Sequence, residues 1–127
     1  MAAVLRPYFI LDASPAAALG AGVTSNVDYT ATSPMVIIDV HDVATATVGG
    51  STAQGLSDPT GSGVFTAYSA ALAMAVTSAL TRGAAVTVAQ RTISAGGVIR
   101  SQFVDGGAGG ADGNLYTHLV KTPITGA

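Results

Sequence analysis

Three residues that could do acid–base or metal chemistry crowd into the segment IDVHDV, namely Asp39, His41 and Asp42. On a β-strand Asp39 and His41 share a face, because side chains two residues apart point the same way. A carboxylate beside an imidazole suits a metal ion with oxygen and nitrogen ligands. Such a site needs a further ligand, for which His118 and Asp28 are the obvious candidates. We favour the simpler interpretation that these residues end a strand and face solvent or a subunit contact.

A second polar group, made of Asp105, Asp112 and Asn114, brackets the glycine-rich segment DGGAGGADGN. Calcium loops alternate Asp and Asn oxygens around a glycine turn, but an EF-hand also needs an acidic residue at its twelfth position. The chain contains no Glu. We expect a flexible or subunit-contacting loop here rather than a calcium site. The sequence therefore predicts no metal site and no cofactor, and its weak metal candidates are Asp39, His41, Asp105, Asp112 and Asn114.

Catalytic motifs are not recognisable in this sequence. The Gly-x-Gly spacing of the same loop precedes a predicted strand, whereas a dinucleotide-binding loop follows a strand and opens a helix. A Gly-x-Ser-x-Gly nucleophile elbow does not occur, and there is no Cys to serve as a nucleophile or disulfide partner. We therefore expect that the protein is not an enzyme.

The scarcity of charge is the main compositional feature of the 127 residues. Only 9% are charged, against roughly 25% in an ordinary soluble domain. Five Lys and Arg residues and a net charge of −2 argue against a nucleic-acid partner, which requires a dense basic surface. An apolar fraction of 49% argues against general disorder. Such a surface is rich in Ser, Thr and Gly or is covered by other chains, and we favour coverage by other chains.

Hydrophobic periodicity predicts mostly β-structure. In the final strand, predicted at residues 115–121, Leu115, Thr117 and Leu119 alternate with Tyr116, His118 and Val120. The remaining predicted segments are an edge strand at 4–11, strands at 22–32, 34–48, 84–93 and 98–104, a hairpin turn at 94–97, and loops at 49–63 and 105–114. The strand at 34–48 is expected to carry a bulge or short turn near His41–Asp42, because its alternation would otherwise bury Asp42 with Ile38 and Val40.

One helix is predicted at about residues 64–82. Apolar and aromatic residues recur there at spacings of three and four, with Ser62 as its N-cap and Gly83 as its C-terminal stop. The segment bears no charge before Arg82, so it is expected to be covered on most sides. We do not expect it to cross a membrane, because its Ser, Thr and Ala content suits lipid poorly. The residues expected to contact a partner are Phe65, Tyr68, Leu72, Val76, Arg91 and Arg100.

These elements predict one domain over residues 1–127, with a possible arm at 1–22 and a flexible tail at 122–127. The fold class is α+β, in which an antiparallel sheet, or a small β-sandwich or barrel, packs against the central helix. Arg91 and Arg100 lie across the predicted hairpin, where they could pair with Asp105 or with an acidic partner surface.

Small size, absence of Cys, the Ala/Gly/Ser/Thr/Val bias, flexible ends and two glycine loops resemble the small capsid decoration, or cement, proteins of tailed bacteriophages. The resemblance lies in composition and layout alone. It implies a virion structural protein, made in the host cytoplasm and carried on the capsid surface. Such a protein would form homo-oligomers, often trimers, and would bind the major capsid protein or other virion subunits, but neither nucleic acid nor membrane.

Two other functions remain open at this stage. A phage tail-tube, neck or fibre component would have a similar composition but would form rings, tubes or fibres. A secreted carbohydrate- or calcium-binding adhesion module would instead use the loops at 49–63 and 105–114 as its binding elements.

Overall fold

The structure, a computed structural model, describes residues 8–14, 24–44, 52–73, 80–82, 88–104 and 113–121. Within these ranges the chain is mostly antiparallel β-structure with one four-residue helix. The elements are, in chain order, β1 (Tyr8–Ala13), β2 (Thr24–Thr30), β3 (Met35–Ala44), β4 (Thr52–Asp58), β5 (Thr66–Ala67), β6 (Leu72–Ala73), β7 (Leu80–Arg82), α1 (Val88–Arg91), β8 (Thr92–Ile93), β9 (Val98–Val104) and β10 (Gly113–Lys121).

The strands form two five-stranded sheets of similar layout. The first sheet has the order β1-β10-β3-β7, and β8 also pairs with β3. The second has the order β2-β9-β4-β5, and β6 also pairs with β4. Each sheet therefore has three long strands, and the far edge of its third long strand pairs with two short strands. The strand β1 lies at the edge of the first sheet, as predicted for residues 4–11; residues 8–11 of that prediction belong to β1, and residues 4–7 lie outside the described residues.

The core lies between the two sheets and is lined by the alternate residues of each long strand. From the first sheet come Met35, Ile37, Leu115 and Leu119, and from the second comes Phe103, all of them fully buried. The sheets also share a polar contact, since the Tyr68 hydroxyl lies 2.7 Å from Thr117 Oγ1, and both residues are buried. Burial raises the pKa of Tyr68 to about 12, while the bond to Thr117 opposes that shift, so the phenol remains neutral near pH 7.

An extra residue in β3 changes which of its side chains enter the core. The pairing of β3 with β10 shifts between His118 and Leu119, which face Asp39 and Ile37 respectively, so Ile38 is the unpaired residue. Before the bulge the odd-numbered residues of β3 are buried, and after it the even-numbered residues Val40 and Asp42 are buried. A bulge was predicted in this strand near His41–Asp42; the structure places it at Ile38.

The helix predicted at about residues 64–82 is wrong. The described part of this segment contains β5, β6 and β7 instead. Both β5 and β6 pair with β4, and between them the amides of Tyr68 and Ser69 donate to the Gly55 carbonyl, at 3.0 and 3.4 Å. Pairing with β4 and the burial of Tyr68 and Leu72 outweigh the helix propensity of this Ala-rich segment, because tertiary contacts routinely override propensity. The α+β class built around this helix is corrected to a mostly antiparallel β-fold.

Three further predictions differ from the structure. The loop predicted at 49–63 contains β4, an interior strand whose buried face carries the small residues Ala53, Gly55 and Ser57, so hydrophobicity did not reveal it. The strand predicted at 84–93 contains α1 at its described end. The turn at 94–97 does not close a hairpin, because β8 belongs to the first sheet and β9 to the second. It connects the sheets, and its amides and carbonyls pair with Ala31 and Pro59.

We predict that Gly55→Ala strongly destabilises the protein. A Cβ atom at this position would overlap the ring and hydroxyl of Tyr68, which is fully buried and cannot move aside. Overpacking of this kind should lower the free energy of unfolding by at least about 2 kcal/mol. Urea denaturation followed by circular dichroism measures it.

Gly63→Ala is the matched control for this measurement. Gly63 has a φ of 90° and no atom within 4 Å of an added Cβ, so alanine there tests backbone strain without overlap. That strain should cost about 1 kcal/mol. Equal losses in the two variants would contradict the close packing of Tyr68 on Gly55.

Candidate functional site

Both histidines of the chain meet on the outer face of the first sheet. In the register of β3 and β10, His118 lies opposite Asp39 and Tyr116 lies opposite His41. All four side chains point away from the core, because their neighbours on either side along β10 and beyond the bulge in β3 are buried. The long-range pairing of β3 with β10 therefore unites residues that are 77 positions apart in the chain.

The two imidazoles are in direct contact. Nε2 of His118 lies 2.9 Å from Nδ1 of His41, and the ring centroids are 4.8 Å apart with planes inclined by 44°. The other ring nitrogen of His118, Nδ1, is hydrogen-bonded to the Tyr8 hydroxyl. His118 is therefore held on both of its nitrogens, by β3 on one side and by β1 on the other.

Tyr116 extends the group along β10. Its ring stacks on His41 with centroids 4.9 Å apart and planes only 19° apart, which fixes the plane of that imidazole. Next along the same face, the Asn114 amide donates to Asp12 at 2.7 Å and accepts from the Ser14 hydroxyl at 3.0 Å. A continuous polar and aromatic network thus runs across β1, β10 and β3.

Exposed apolar side chains flank this network. Tyr8, Ile10 and Ile38 are 53%, 45% and 49% exposed, and Ile10 lies directly opposite His118 in the pairing of β1 with β10. We call this surface the histidine face; its members are Tyr8, Ile10, Ile38, His41, Tyr116 and His118. Asp12 and Asp39 also point outward on this sheet, and no Lys or Arg side chain that the structure describes there does so.

The predicted metal candidates have different locations. Asp39 and His41 share a face, as expected, and His118 is the third residue that joins them. Asp28 is on β2 in the other sheet, where Arg100 forms a two-pronged ion pair with it at 2.8 Å. The hydrogen bond from Arg100 lowers the pKa of Asp28, against a smaller opposing effect of burial. Among the described residues there is no group of three or more His, Cys, Asp or Glu side chains placed to hold a metal ion.

The glycine-loop candidates are only partly described. Asn114 belongs to β10 and is engaged with Asp12 and Ser14, whereas Asp105 and Asp112 lie outside the described residues, as do most of the arm at 1–22 and the tail at 122–127. The suggested pairing of Arg91 or Arg100 with Asp105 therefore also lies outside the described residues, within which Arg100 is paired with Asp28.

The residues predicted to contact a partner differ in their exposure. Tyr68 and Leu72 are buried in the core of this chain. Phe65 is half-buried beneath the guanidinium of Arg100, which lies 3.8 Å from its ring centroid, and Arg91 is exposed at the end of α1. Val76 is not among the described residues. Phe65, Tyr68, Leu72 and Val76 were predicted from helical spacing, and the described part of that segment is not helical.

The sequence interpretation missed Tyr8, Ile10 and Ile38. The alternation of Tyr116 and His118 against Leu115 and Leu119 was visible, and it correctly separates the outer face of β10 from the core. Nothing in the sequence showed that β1 would align with β10, since these strands stand at opposite ends of the chain.

The described end of the segment predicted as a loop, residues 58–63, is organised by Asp58. Its carboxylate accepts hydrogen bonds from the amides of Ser62 and Gly63, at 2.9 and 2.7 Å, and from the Ser62 hydroxyl at 3.2 Å. Burial raises the pKa of Asp58, but these donors together outweigh burial and hold it below its usual value. The carboxylate is thus used to close its own turn.

Comparison with protein-family models, with curated proteins and with solved structures found no match to this chain. Within the described ranges, the chain has no helix of the length and hydrophobicity needed to span a membrane.

We predict that Asp58→Asn lowers the melting temperature at pH 7 and that this difference shrinks in acid. A carboxylate whose pKa is lowered by folding stabilises the protein above its unfolded pKa, about 3.9, and loses that contribution as the pH falls through the folded value. Thermal melts of both proteins between pH 7 and pH 2.5 measure the effect. A constant difference over this range would show that the charge of Asp58 contributes nothing.

Proposed function

We propose that the chain is a virion structural protein, a capsid decoration protein that stabilises a phage head by binding neighbouring capsid subunits. The observation that carries this proposal is the histidine face, an exposed, largely uncharged surface on a sheet of a small β-protein. Its centre combines apolar and aromatic side chains, which are the groups that contribute most to protein–protein contacts.

The rigidity of this face supports a binding role. Its side chains are held by the stacking of Tyr116 on His41 and by the hydrogen bonds from His118 to His41 and Tyr8. Side chains that are already ordered lose less conformational entropy when a partner covers them.

The charges beside the histidine face favour a partner of a different kind over a second copy of this chain. Asp12 and Asp39 are the described charged side chains that point outward on this sheet, so two such faces in contact would bring carboxylates together. A capsid surface that offers apolar groups with amide, Lys or Arg donors at the rim would complement them. Trimer formation, as the resemblance implies, would then use other surfaces and would multiply weak contacts with the shell.

We predict that Ile38→Lys and Ile10→Lys each weaken binding to capsids by at least tenfold. Each change places a cation in the apolar centre of the contact, where it loses its hydration and faces the donors of the partner. Co-sedimentation with heads of the phage that encodes the chain, prepared from a mutant lacking this protein, measures the affinity.

Val64→Lys is the control variant. Val64 is 69% exposed but precedes β5 in the second sheet, so lysine there adds the same charge away from the histidine face. It should bind like the unmodified protein, and all three variants should keep its melting temperature. Equal binding by all variants would exclude the histidine face as the contact.

The same preparation separates the other functions. Rings, tubes or fibres in negative stain, without affinity for heads, would assign the chain to a tail, neck or fibre. Retention on insoluble polysaccharide that depends on Tyr8 or Tyr116 would assign it to the adhesion modules, because exposed aromatic rings also stack on sugars. Either result overturns the capsid proposal.

A further inference from the structure

The two imidazole nitrogens of His41 and His118 that face each other are as far apart as two nitrogen ligands of one metal ion. Zinc binds imidazole nitrogen at about 2.0–2.1 Å, so two ligands at angles of 90° to 110° lie about 2.9–3.3 Å apart. Nε2 of His118 and Nδ1 of His41 are separated by 2.9 Å. We propose that these two histidines form a binding site for a late first-row divalent cation, Zn²⁺, Ni²⁺ or Cu²⁺.

The two rings must exchange their hydrogen bond for a shared cation. In the hydrogen-bonded pair, one nitrogen carries the proton and the other accepts it. The two lone pairs converge on a common point when each leaves the line between the two nitrogens by about 45°, which requires both rings to turn about their Cβ–Cγ bonds and the stack of His41 on Tyr116 to shift. If the shared proton belongs to Nε2 of His118, it moves to Nδ1 of that ring; if it belongs to Nδ1 of His41, it moves to Nε2 of that ring, so in either case both imidazoles stay neutral.

Tyr8 is placed to support that change. Its hydroxyl is bonded to Nδ1 of His118, and it can accept a hydrogen bond from this nitrogen as readily as it can donate one. A metal-bound histidine usually donates its other N–H to an oxygen that fixes the tautomer and the orientation of the ring. Tyr8 is thus a positioning residue, and the stack of Tyr116 on His41 holds the second ring.

The surroundings favour a cation of this class. Asp39, opposite His118 in the register, adds a carboxylate to the same face. Imidazole suits zinc, copper and nickel, whereas calcium and magnesium prefer oxygen ligands. The described part of the chain supplies two ligands, and the remaining coordination positions are open to water, to a group from a partner or to residues outside the described ranges. This inference does not depend on the proposed function.

The composition of the chain makes the test direct. There are two His residues and no Cys, so the untagged protein has no other imidazole or thiolate ligand. We predict that it binds one Zn²⁺ or Ni²⁺ ion per chain in calorimetric titrations with the metal chlorides. His41→Gln and His118→Gln should each weaken binding at least tenfold, because losing one ligand removes the chelate, and the double variant should show no measurable binding, because it has no imidazole left.

Tyr8→Phe tests the positioning role. Loss of such an outer hydrogen bond should weaken metal binding by about tenfold or more, without changing the melting temperature of the metal-free protein. Tyr29→Phe, on β2 in the second sheet, is the matched control and should bind metal normally. In the unmodified protein, the imidazole NMR signals of both histidines should shift together on addition of Zn²⁺. In Tyr8→Phe, the same shifts should require a higher Zn²⁺ concentration, which would not be expected if Tyr8 only stabilised the fold.

Several results would contradict the proposed site. One is that the unmodified protein fails to bind the metal ion, and another is that the double variant still binds it. A stoichiometry of two ions per chain, each lost in one single variant, or of one ion per two chains would also contradict it. Circular dichroism of each variant confirms that it is folded, so a loss of binding can be attributed to the missing nitrogen.

Discussion

The pairing of β3 with β10 is the contact on which both the core and the histidine face depend. These two strands are the interior strands of the first sheet, and β1, β7 and β8 all attach to one or the other. The extra residue Ile38 reverses the alternation of β3. Without it, the register that buries Met35 and Ile37 would also bury Asp39 and His41 and would expose Val40. A single bulge thus allows one strand to fill the core at its beginning and to carry polar side chains outward at its end.

The alternation of inward and outward side chains was predictable from the sequence in strands where apolar and polar residues follow one another. The strand β9 has the predicted bounds, and β2, β3 and β10 lie within or close to theirs. The outer positions of Asp39, His41, Tyr116 and His118 were also correctly grouped along their own strands. What local patterns could not supply was the partner of each strand, because β1 and β10 meet across nearly the whole chain.

The two largest errors, at β4 and at the predicted helix, have one physical origin. β4 buries Ala53, Gly55 and Ser57, so its inner face is nearly flat and has no hydrophobic signature. The missing volume is supplied by Tyr68, whose ring occupies the space above Gly55. Tyr68 and Leu72 were interpreted as a helical stripe because they are four residues apart. They are both buried since the chain bends between β5 and β6, where the two amides share the Gly55 carbonyl. The small residues of β4 and the large ring of Tyr68 fill the same space together, and neither the sequence of β4 nor that of residues 64–82 reveals this packing alone.

The few acidic side chains of the described residues have distinct surroundings in the folded chain. Among the described acidic residues, Asp28 is paired with Arg100 and Asp58 closes its own turn, while Asp39 lies opposite His118 and Asp12 lies opposite Tyr116. A cation held by His41 and His118 would lie within the proposed capsid contact and would offset the charge of these carboxylates beside it. Burial of Tyr8 by a partner would in turn shield its bond to His118 from water and strengthen it. Metal binding and shell binding on the same face would therefore be coupled, and linkage requires the coupling to be reciprocal. A cation that tightens attachment to the shell by a given factor must itself be held more tightly, by that same factor, in the attached protein.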